Sequence, residues 1–415
     1  MDNAEQKNNP YAAIAIPEFR NLLIGRFFFI MGLRMISTLL NWWIFHLTST
    51  PLAIGIIGLS EFLPAFGFAL YAGYVIDISE KRKLLLTGVF LYLITSLIFL
   101  LLSSSVTSTH LNKNWIVACI YITVFLTGII RAFTGPTFNV MLANIVPKSV
   151  LQNATTWNQG TWLAASVTGH AVSGLLIAYI DITGTLMVVT GLIIFASFFL
   201  FKLKKKPALN QKGEKKTWDS VVEGIKFVFK TKEILGALSL DLFAVLFGGA
   251  VAMIPVFTTL ILHISVIKYG WLNAASDIGS VCIIILLTFL PLKNKQGKKL
   301  LFAVAGFGLC IIVFALSRNF WLSFAALMFS GMLDGISVVV RGTIMQLKTP
   351  DNMRGRVLSV NSMFINSSNE LGQFESGIAA QLMGNIASVI FGGSMTLLVV
   401  IITWFKAPAL RKMEY

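Results

Sequence analysis

The sequence predicts an all-α membrane protein whose twelve transmembrane helices form two pseudo-symmetric six-helix bundles. Three features lead to this fold class: the composition, twelve apolar runs and an internal repeat. The 415 residues are 56% hydrophobic and 12% charged, with a mean hydropathy of +0.79. A soluble chain of this length would carry more charged residues on its surface. In lipid, the backbone must satisfy its own hydrogen bonds, and the absence of an alternating pattern favours helices over a barrel.

Twelve apolar runs are long enough to cross a bilayer, which requires about 20 helical residues. They lie at residues 21–47, 52–78, 84–104, 115–145, 154–180, 185–203, 234–262, 269–292, 300–317, 320–347, 356–382 and 385–405. The seventh run is rich in glycine and contains Pro255, which favours a kink there.

A polar, lysine-rich stretch separates the sixth run from the seventh. We therefore expect a first bundle at residues 1–203, a cytoplasmic linker at 204–232 and a second bundle at 233–415. Within the linker, residues 218–230 place apolar side chains on one helical face. This pattern predicts an amphipathic helix at the inner membrane surface.

The net charge of +15 indicates membrane topology rather than binding to nucleic acid. If the N-terminus is inside, the inner loops hold most of the loop lysines and arginines, and the outer loops hold only Lys113, Lys268 and Arg318. Cytoplasmic loops are enriched in these residues. We expect both termini in the cytoplasm and the chain in a bacterial cytoplasmic (inner) membrane.

An internal repeat relates the two halves. An offset of 203 residues aligns one set of identical residues, and an offset of 212 aligns a second set. The aligned pairs are Gly128 and Gly331, Pro147 and Pro350, Asn158 and Asn361, Gly169 and Gly372, Ser173 and Ser376, Gly174 and Gly377, and, at the second offset, Gly58 and Gly270, and Gly67 and Gly279. Parallel six-helix repeats build the large secondary-transporter folds.

Charged side chains inside the apolar runs are costly, so each is a functional candidate. At about 1.5 Å per residue, four of them fall near the bilayer midplane and three nearer the cytoplasm. The first group is Arg34, Glu61, Asp334 and Glu370, and the second is Asp241, Arg131 and Arg341. Two polar stripes accompany them and predict a wet cavity between the halves. The stripes are Arg26, Arg34, Ser37 and Asn41, and Asn366, Glu370, Gln373 and Gly377.

Structural interpretations of these charges stay open. Arg34 and Glu61 can neutralise each other, whereas Asp334 and Arg341, two turns apart, can hold neighbouring helices together. We expect His170 to be a satisfied polar group. In the functional interpretation, a carboxylate in low dielectric binds a proton on one side and releases it on the other. The candidates for this role are Glu61, Asp241, Asp334 and Glu370.

Motifs for other energy sources and for catalysis are absent from the sequence. It contains no GxxxxGK[ST] phosphate loop, no HExxH or GxSxG motif and no metal-ligand cluster. We therefore expect no enzymatic activity, no cofactor and no metal, and an ion gradient as the energy source.

The loop after the second run reads GYVIDISEKRK, from Gly73 to Lys83. It resembles the signature loop of the major facilitator superfamily, and Gly73, Asp77, Arg82 and Lys83 match that pattern. Glu80 stands where many members have glycine, a departure shared with a subgroup that resembles the enterobactin exporter and the macrolide-efflux proteins. Further segments are similar to this subgroup, among them TPDNMRGRV and NSSNELGQFESG. Arg131 with Gly135 resembles the arginine motif of the fourth helix.

The resemblance implies the major facilitator fold, alternating access and proton-driven export. It implies a close helix contact at Gly73 and a brace between Asp77 and the loop cations. It assigns Gly73, Asp77, Arg82, Lys83 and Arg131 to the conformational switch, and we expect Arg341 to belong to the same switch. Segment 169–174, GHAVSG, departs from the antiporter motif of the fifth helix, since His170 replaces a proline and Ser173 a glycine.

We expect a monomeric, proton-coupled antiporter that exports a small amphipathic molecule, siderophore-like or drug-like. Its partners are this substrate, protons and the lipid bilayer. The substrate and coupling residues are Arg34, Asn41, Trp42, Glu61, Asp241, Asp334, Asn366 and Glu370. The alternatives are an importer or lysolipid flippase of the same fold, and a transport-inactive membrane sensor.

Overall fold

The computed structural model describes residues 10–206, 216–290, 292, 294–350 and 353–414. Within these residues the chain is helical and contains no strand. The predicted all-α fold class is therefore confirmed.

The helices follow the apolar runs, and one further helix, α7, lies in the linker segment. They are α1 (Pro17–Thr48), α2 (Pro51–Ile78), α3 (Lys81–Ser103), α4 (Lys113–Ile145), α5 and α6 (together Leu151–Leu200), α7 (Lys216–Lys230), α8 (Lys232–Phe247), α9 (Ile254–Leu260), α10 (Val266–Phe289), α11 (Gln296–Leu316), α12 (Phe320–Lys348), α13 (Arg354–Met383) and α14 (Asn385–Lys406). Short helical segments at Ser105–His110 and Pro408–Arg411 complete the described chain.

Ten helical stretches of the described chain are long and apolar enough to cross a membrane. One of them contains both α5 and α6, which meet at Ile180 and Asp181, where the backbone is not helical. A straight helix of 50 residues would be about 75 Å long, whereas the hydrocarbon core measures about 30 Å. The break at Asp181, with φ 59° and ψ −176°, therefore divides the stretch into two membrane-length helices. The more polar α13 falls outside the ten.

The seventh apolar run is broken rather than merely kinked. Helix α8 ends at Phe247, and a 3-10 turn, Ala250–Met253, leads into α9 with Pro255 in its first turn. A Cβ atom at Gly249 would lie 2.8 Å from the carbonyl oxygen of Gly372, so the break passes against another backbone. The kink expected from Pro255 thus lies several residues earlier, at the two glycines.

The described chain forms two compact units. One combines residues from Met1–Leu40 and Leu63–Glu214, and the other combines Asn41–Phe62 with Lys215–Tyr415. In the first unit, α3 packs against α4 and against the α5–α6 stretch. In the second, α12 packs against α10 and α11, and α8 packs against α13 and α14. The division of the sequence at residues 203 and 233 stays a prediction.

Helix α7 occupies the linker segment where an amphipathic helix is expected. It packs on α8 and α13, and Arg356 of α13 pairs with Glu223 of α7. Gly224 makes this possible, because a Cβ atom there would lie only 3.0 Å from that of Arg356. Phe229 on the same helix is 58% exposed. The location of α7 at the membrane surface stays a prediction.

Candidate functional site

Arg34 lies on α1 and is half-buried within the first unit. Its guanidinium carbon lies 4.9 Å from the centre of the Trp162 ring, and Trp162 is also half-buried. One turn further along α1, the hydroxyl of Thr38 is 2.5 Å from Nδ1 of His170. This face therefore combines a cation, an aromatic ring and two polar groups. His170 is hydrogen-bonded, as its interpretation as a satisfied polar group predicts.

Small residues on α5 allow this helix to pack closely against α1. A Cβ atom at Gly169 would lie 2.7 Å from Cβ of Arg34 and 2.8 Å from the carbonyl oxygen of Met31. Ser173, one turn later, donates a hydrogen bond to the carbonyl oxygen of Met35 at 3.2 Å. The segment GHAVSG thus packs α5 directly on α1, although it lacks the proline of the antiporter motif.

The second half repeats this contact with the residues that the 203-residue offset aligns. A Cβ atom at Gly372 would lie 2.9 Å from the carbonyl oxygens of Val245 and Leu246. Ser376 likewise faces the broken helix, 2.9 Å from the position of a Cβ atom at Gly249. The aligned glycines and serines therefore perform the same packing role in each half.

Asn41 and Trp42 belong to the second unit. Gln373 donates hydrogen bonds to Oδ1 of Asn41 at 3.1 Å and to the carbonyl oxygen of Ile54 at 2.9 Å. Trp42 packs on the fully buried ring of Tyr269, with the ring centres 4.8 Å apart. Trp42 thus contacts Tyr269, whereas the aromatic neighbour of Arg34 is Trp162.

Glu61 and Glu370 lie on α2 and α13. Glu61 is half-buried, and Glu370 is 6% exposed. The backbone of Glu370 comes close to α2, since a Cβ atom at Gly58 would lie 2.7 Å from its carbonyl oxygen. The side chain of Asn366 lies outside the described residues. The mutual neutralisation of Arg34 and Glu61 stays a prediction.

Asp241 on α8 and Arg341 on α12 form a buried ion pair. The two residues are 5% and 3% exposed. Asp241 also lines a small cavity together with Asp334 and Ser337 of α12. Arg341 therefore joins α12 to α8 through Asp241. One interpretation of the sequence gave the joining of neighbouring helices to Asp334 and Arg341 together.

The signature loop centres on Lys81, whose side chain is fully buried. Its ammonium group donates hydrogen bonds to the carbonyl oxygens of Ile76, of Asp77 at 3.0 Å and of Ser79 at 3.1 Å. These carbonyls lie at and just beyond the C-terminal end of α2, where a cation stabilises the helix dipole.

Glu80 caps the start of α3. Its carboxylate accepts hydrogen bonds from the backbone N–H groups of Arg82 at 2.9 Å and Lys83 at 3.0 Å. It also accepts one from the backbone N–H of Lys206 at 3.1 Å. The guanidinium of Arg82 donates to the carbonyl oxygen of Phe201 at 2.7 Å. The residue that departs from the family pattern therefore joins this loop to the end of α6.

The resemblance led to two expectations for the loop, at Gly73 and at Asp77. A Cβ atom at Gly73 would meet no atom within 4 Å in the described part of the chain, so the expected close helix contact is not found there. The side chains of Lys81 and Arg82 donate to backbone carbonyl oxygens, and Glu80 accepts from backbone N–H groups. Asp77 acts on Lys81 by charge attraction, and its role as a brace against a neighbouring helix end stays a prediction. Arg131, half-buried on α4, lies near Gly135, and a Cβ atom there would also meet no described atom within 4 Å.

Sequence reasoning missed Trp162, Glu80, Lys81 and Ser337. Glu80 carried a local signal, because an acidic residue directly before a helix start is a frequent cap. Trp162 carried none, since its contact with Arg34 joins residues that lie far apart in the sequence. Ser337 carried none, because the cavity that it lines forms only where three helices pack together.

The sequence model of the Major Facilitator Superfamily matches residues 22–373 of this chain. The search among curated proteins found no match. Among solved structures, the chain is similar to a variant of the nucleoside transporter NupG, with a TM-score of 0.75 and 13% identity over 93% of this chain and 98% of that one.

Two further solved structures are similar. The POT family transporter PepTSo has a TM-score of 0.73 and 12% identity over 96% of this chain and 99% of that one. A POT family transporter in complex with 5-aminolevulinic acid has a TM-score of 0.71 and 10% identity over 94% and 96%. At these identities, the likeness concerns the fold.

Proposed function

Because the chain belongs to the major facilitator superfamily, we propose that it is a proton-coupled antiporter that exports a small amphipathic molecule, siderophore-like or drug-like. It acts as a monomeric transporter rather than an enzyme, in a bacterial inner membrane with both termini in the cytoplasm. Export is supported by the resemblance of the signature loop and of several further segments to the enterobactin and macrolide exporters.

The observation that carries the proposal is the position of the Arg34 guanidinium carbon, 4.9 Å from the centre of the Trp162 ring. A guanidinium within about 6 Å of an aromatic centre gains roughly 0.5–2 kcal/mol. An arginine is also the side chain that best recognises a planar anionic group. The Trp162 ring beside it offers apolar area, so the pair suits a molecule with a charged and an aromatic end.

Proton coupling is supported by the carboxylates within the membrane helices. Glu61, Asp241, Asp334 and Glu370 are the carriers we propose, because intramembrane acids mark proton pathways. Gly73, Asp77, Arg82, Lys83, Arg131 and Arg341 form the proposed switch. The hydrogen bonds of Glu80 and Arg82 support this assignment, since they join the loop to the end of α6.

The test is proton flux in proteoliposomes that contain the purified protein and a pH-sensitive dye. We expect catecholates or amphipathic drugs to drive proton movement opposite to their own. Arg34→Gln and Trp162→Ala should raise the half-saturating concentration about tenfold, in line with the loss of an anchoring contact. Trp321→Ala is the matched control, because Trp321 is 73% exposed.

Three outcomes contradict the proposal. If no compound of the panel moves protons, the antiporter assignment is wrong. If accumulation follows the proton gradient inward, the protein is an importer. If only fluorescent lysolipids cross between leaflets, it is a flippase.

A further inference from the structure

We propose that Asp334, Ser337 and Asp241 form a binding site for Na⁺ within the second unit. The inference depends on the proposed function only for the role of this ion in transport. Binding itself can be tested without a transported substrate.

The three residues line a cavity enclosed by α8, α11 and α12. Its remaining lining residues are Ala244, Val245, Val304, Phe307 and Leu333. The space available is about 10 Å³, close to the minimum needed for one water molecule. An amphipathic organic molecule cannot enter it, so the occupant is a single small species.

Ser337 supplies a ligand that lacks a partner. Its side chain is 2% exposed, and its Oγ atom makes no hydrogen bond to any described residue. A buried hydroxyl left in this state loses its hydration without gaining a hydrogen bond in return. Ser330, two turns earlier on α12 and equally buried, instead donates to the carbonyl oxygen of Leu327 at 2.7 Å. The Ser337 hydroxyl oxygen can therefore bind an occupant of the cavity.

The charges around the cavity favour a cation. Asp241 is neutralised by Arg341, but no Lys, Arg or His of the described chain pairs with Asp334. The last turn of α8 also contributes Ala244 and Val245, and a helix C-terminus carries partial negative charge. The site thus has an excess negative charge that one monovalent cation would balance.

The ligand chemistry selects Na⁺ among the cations. Carboxylate and hydroxyl oxygens are hard ligands that suit alkali and alkaline-earth ions rather than soft metals. Mg²⁺ usually keeps several of its waters, for which this cavity has no space. The one carboxylate of the cavity that no described Lys, Arg or His neutralises, that of Asp334, favours a monovalent ion, and the small volume favours a small one.

The test is Na⁺ binding to the full-length protein in lipid nanodiscs, followed by calorimetry and thermal unfolding. NaCl is exchanged for choline chloride at constant ionic strength. We expect saturable binding of Na⁺, and of Li⁺, and no response to choline. Ser337→Ala should weaken it about tenfold or more, the range seen when a group that supports a metal site is removed. Asp334→Asn should abolish it.

Ser330→Ala is the matched control and should bind Na⁺ as the unaltered protein does. An equal response to Na⁺ and choline, or unchanged binding in Ser337→Ala, overturns the site. If a variant fails to fold, the ion selectivity of the unaltered protein still decides the question. Proton-driven export without Na⁺ binding refutes this inference alone, whereas Na⁺ binding without any transport refutes only the proposed function.

Discussion

A Cβ atom added to Gly377 would lie 2.7 Å from the Cα atom of Gly55, so α2 and α13 meet backbone to backbone. The hydrogen bonds from Gln373 to Asn41 and Ile54 fasten the same contact one turn away. Residues 41–62, the end of α1 and the start of α2, are thereby held in the second unit.

Gly377→Ala should destabilise the protein. Its methyl group would overlap backbone atoms, which cannot move aside as a flexible side chain can, and overpacking costs about 1–3 kcal/mol. Thermal unfolding in nanodiscs measures the loss. Gly67→Ala on α2 is the control, because a Cβ atom there meets no described atom within 4 Å. Equal melting temperatures for the two variants would contradict the contact.

Removing one partner of the Asp241–Arg341 pair should cost far more than removing both. Asp241→Asn or Arg341→Gln leaves an uncompensated buried charge, a loss of about 3–5 kcal/mol. The double variant should recover much of this stability in a double-mutant cycle. The pair of Lys348 and Glu233 joins the same two helices at 3.2 Å but is more exposed. Its removal should cost about 1 kcal/mol or less, and additive effects at Asp241 and Arg341 would refute the prediction.

Glu80→Ala should lower stability by about 0.5–2 kcal/mol, because α3 loses its cap, and it should loosen the link to Lys206. Glu80→Asp should retain part of the effect of the cap. Unfolding temperature measures the first effect, and tryptic cleavage of the bond between Lys205 and Lys206 measures the second. Unchanged cleavage in Glu80→Ala would show that this link does not hold the segment.

Asp77→Asn should impair transport without lowering the amount of protein in the membrane. The amide keeps the shape of the side chain but loses the charge attraction to Lys81. Its hydrogen-bonded backbone carbonyl remains available to Lys81. Transport at the normal rate would argue against a role for Asp77 in the switch, whereas a loss of protein would indicate a role in folding.

Gly169→Ala and Gly372→Ala should be destabilising to a similar degree, since both positions face a neighbouring backbone carbonyl at less than 3.0 Å. Gly160→Ala on α5, where a Cβ atom meets no described atom within 4 Å, is the control. Melting temperatures compare the three variants. A large loss at only one of the aligned glycines would show that the repeat is conserved in sequence pattern but not in packing.

The helices were predictable because each depends on a continuous apolar run. The polar α13 was found too, since its run of small and apolar residues is long enough to offset Asn366 and Glu370. The break after α8 lies earlier in the chain than the sequence predicts. The prediction rested on Pro255, whereas the helix ends at Gly248 and Gly249, which have no room for a side chain.

The site was harder to predict, because its residues are paired across long distances in the sequence. Arg341 has an acid on its own helix at a suitable spacing, and yet it pairs with Asp241, 100 residues away. Trp162 is one of several aromatic residues, and only the close approach of α5 at Gly169 places it beside Arg34. Spacing along one helix identifies a face but not what covers it.

The turn at Ile180 and Asp181 has a mechanical consequence. A connection of two residues has no slack, so α5 cannot slide or tilt by much unless α6 follows. Any displacement of the Arg34 face that begins in α5 is therefore passed to α6. The opposite end of α6 adjoins the carbonyl of Phe201, which accepts a hydrogen bond from Arg82. Helices α5 and α6 together therefore connect the candidate substrate contact with the signature loop.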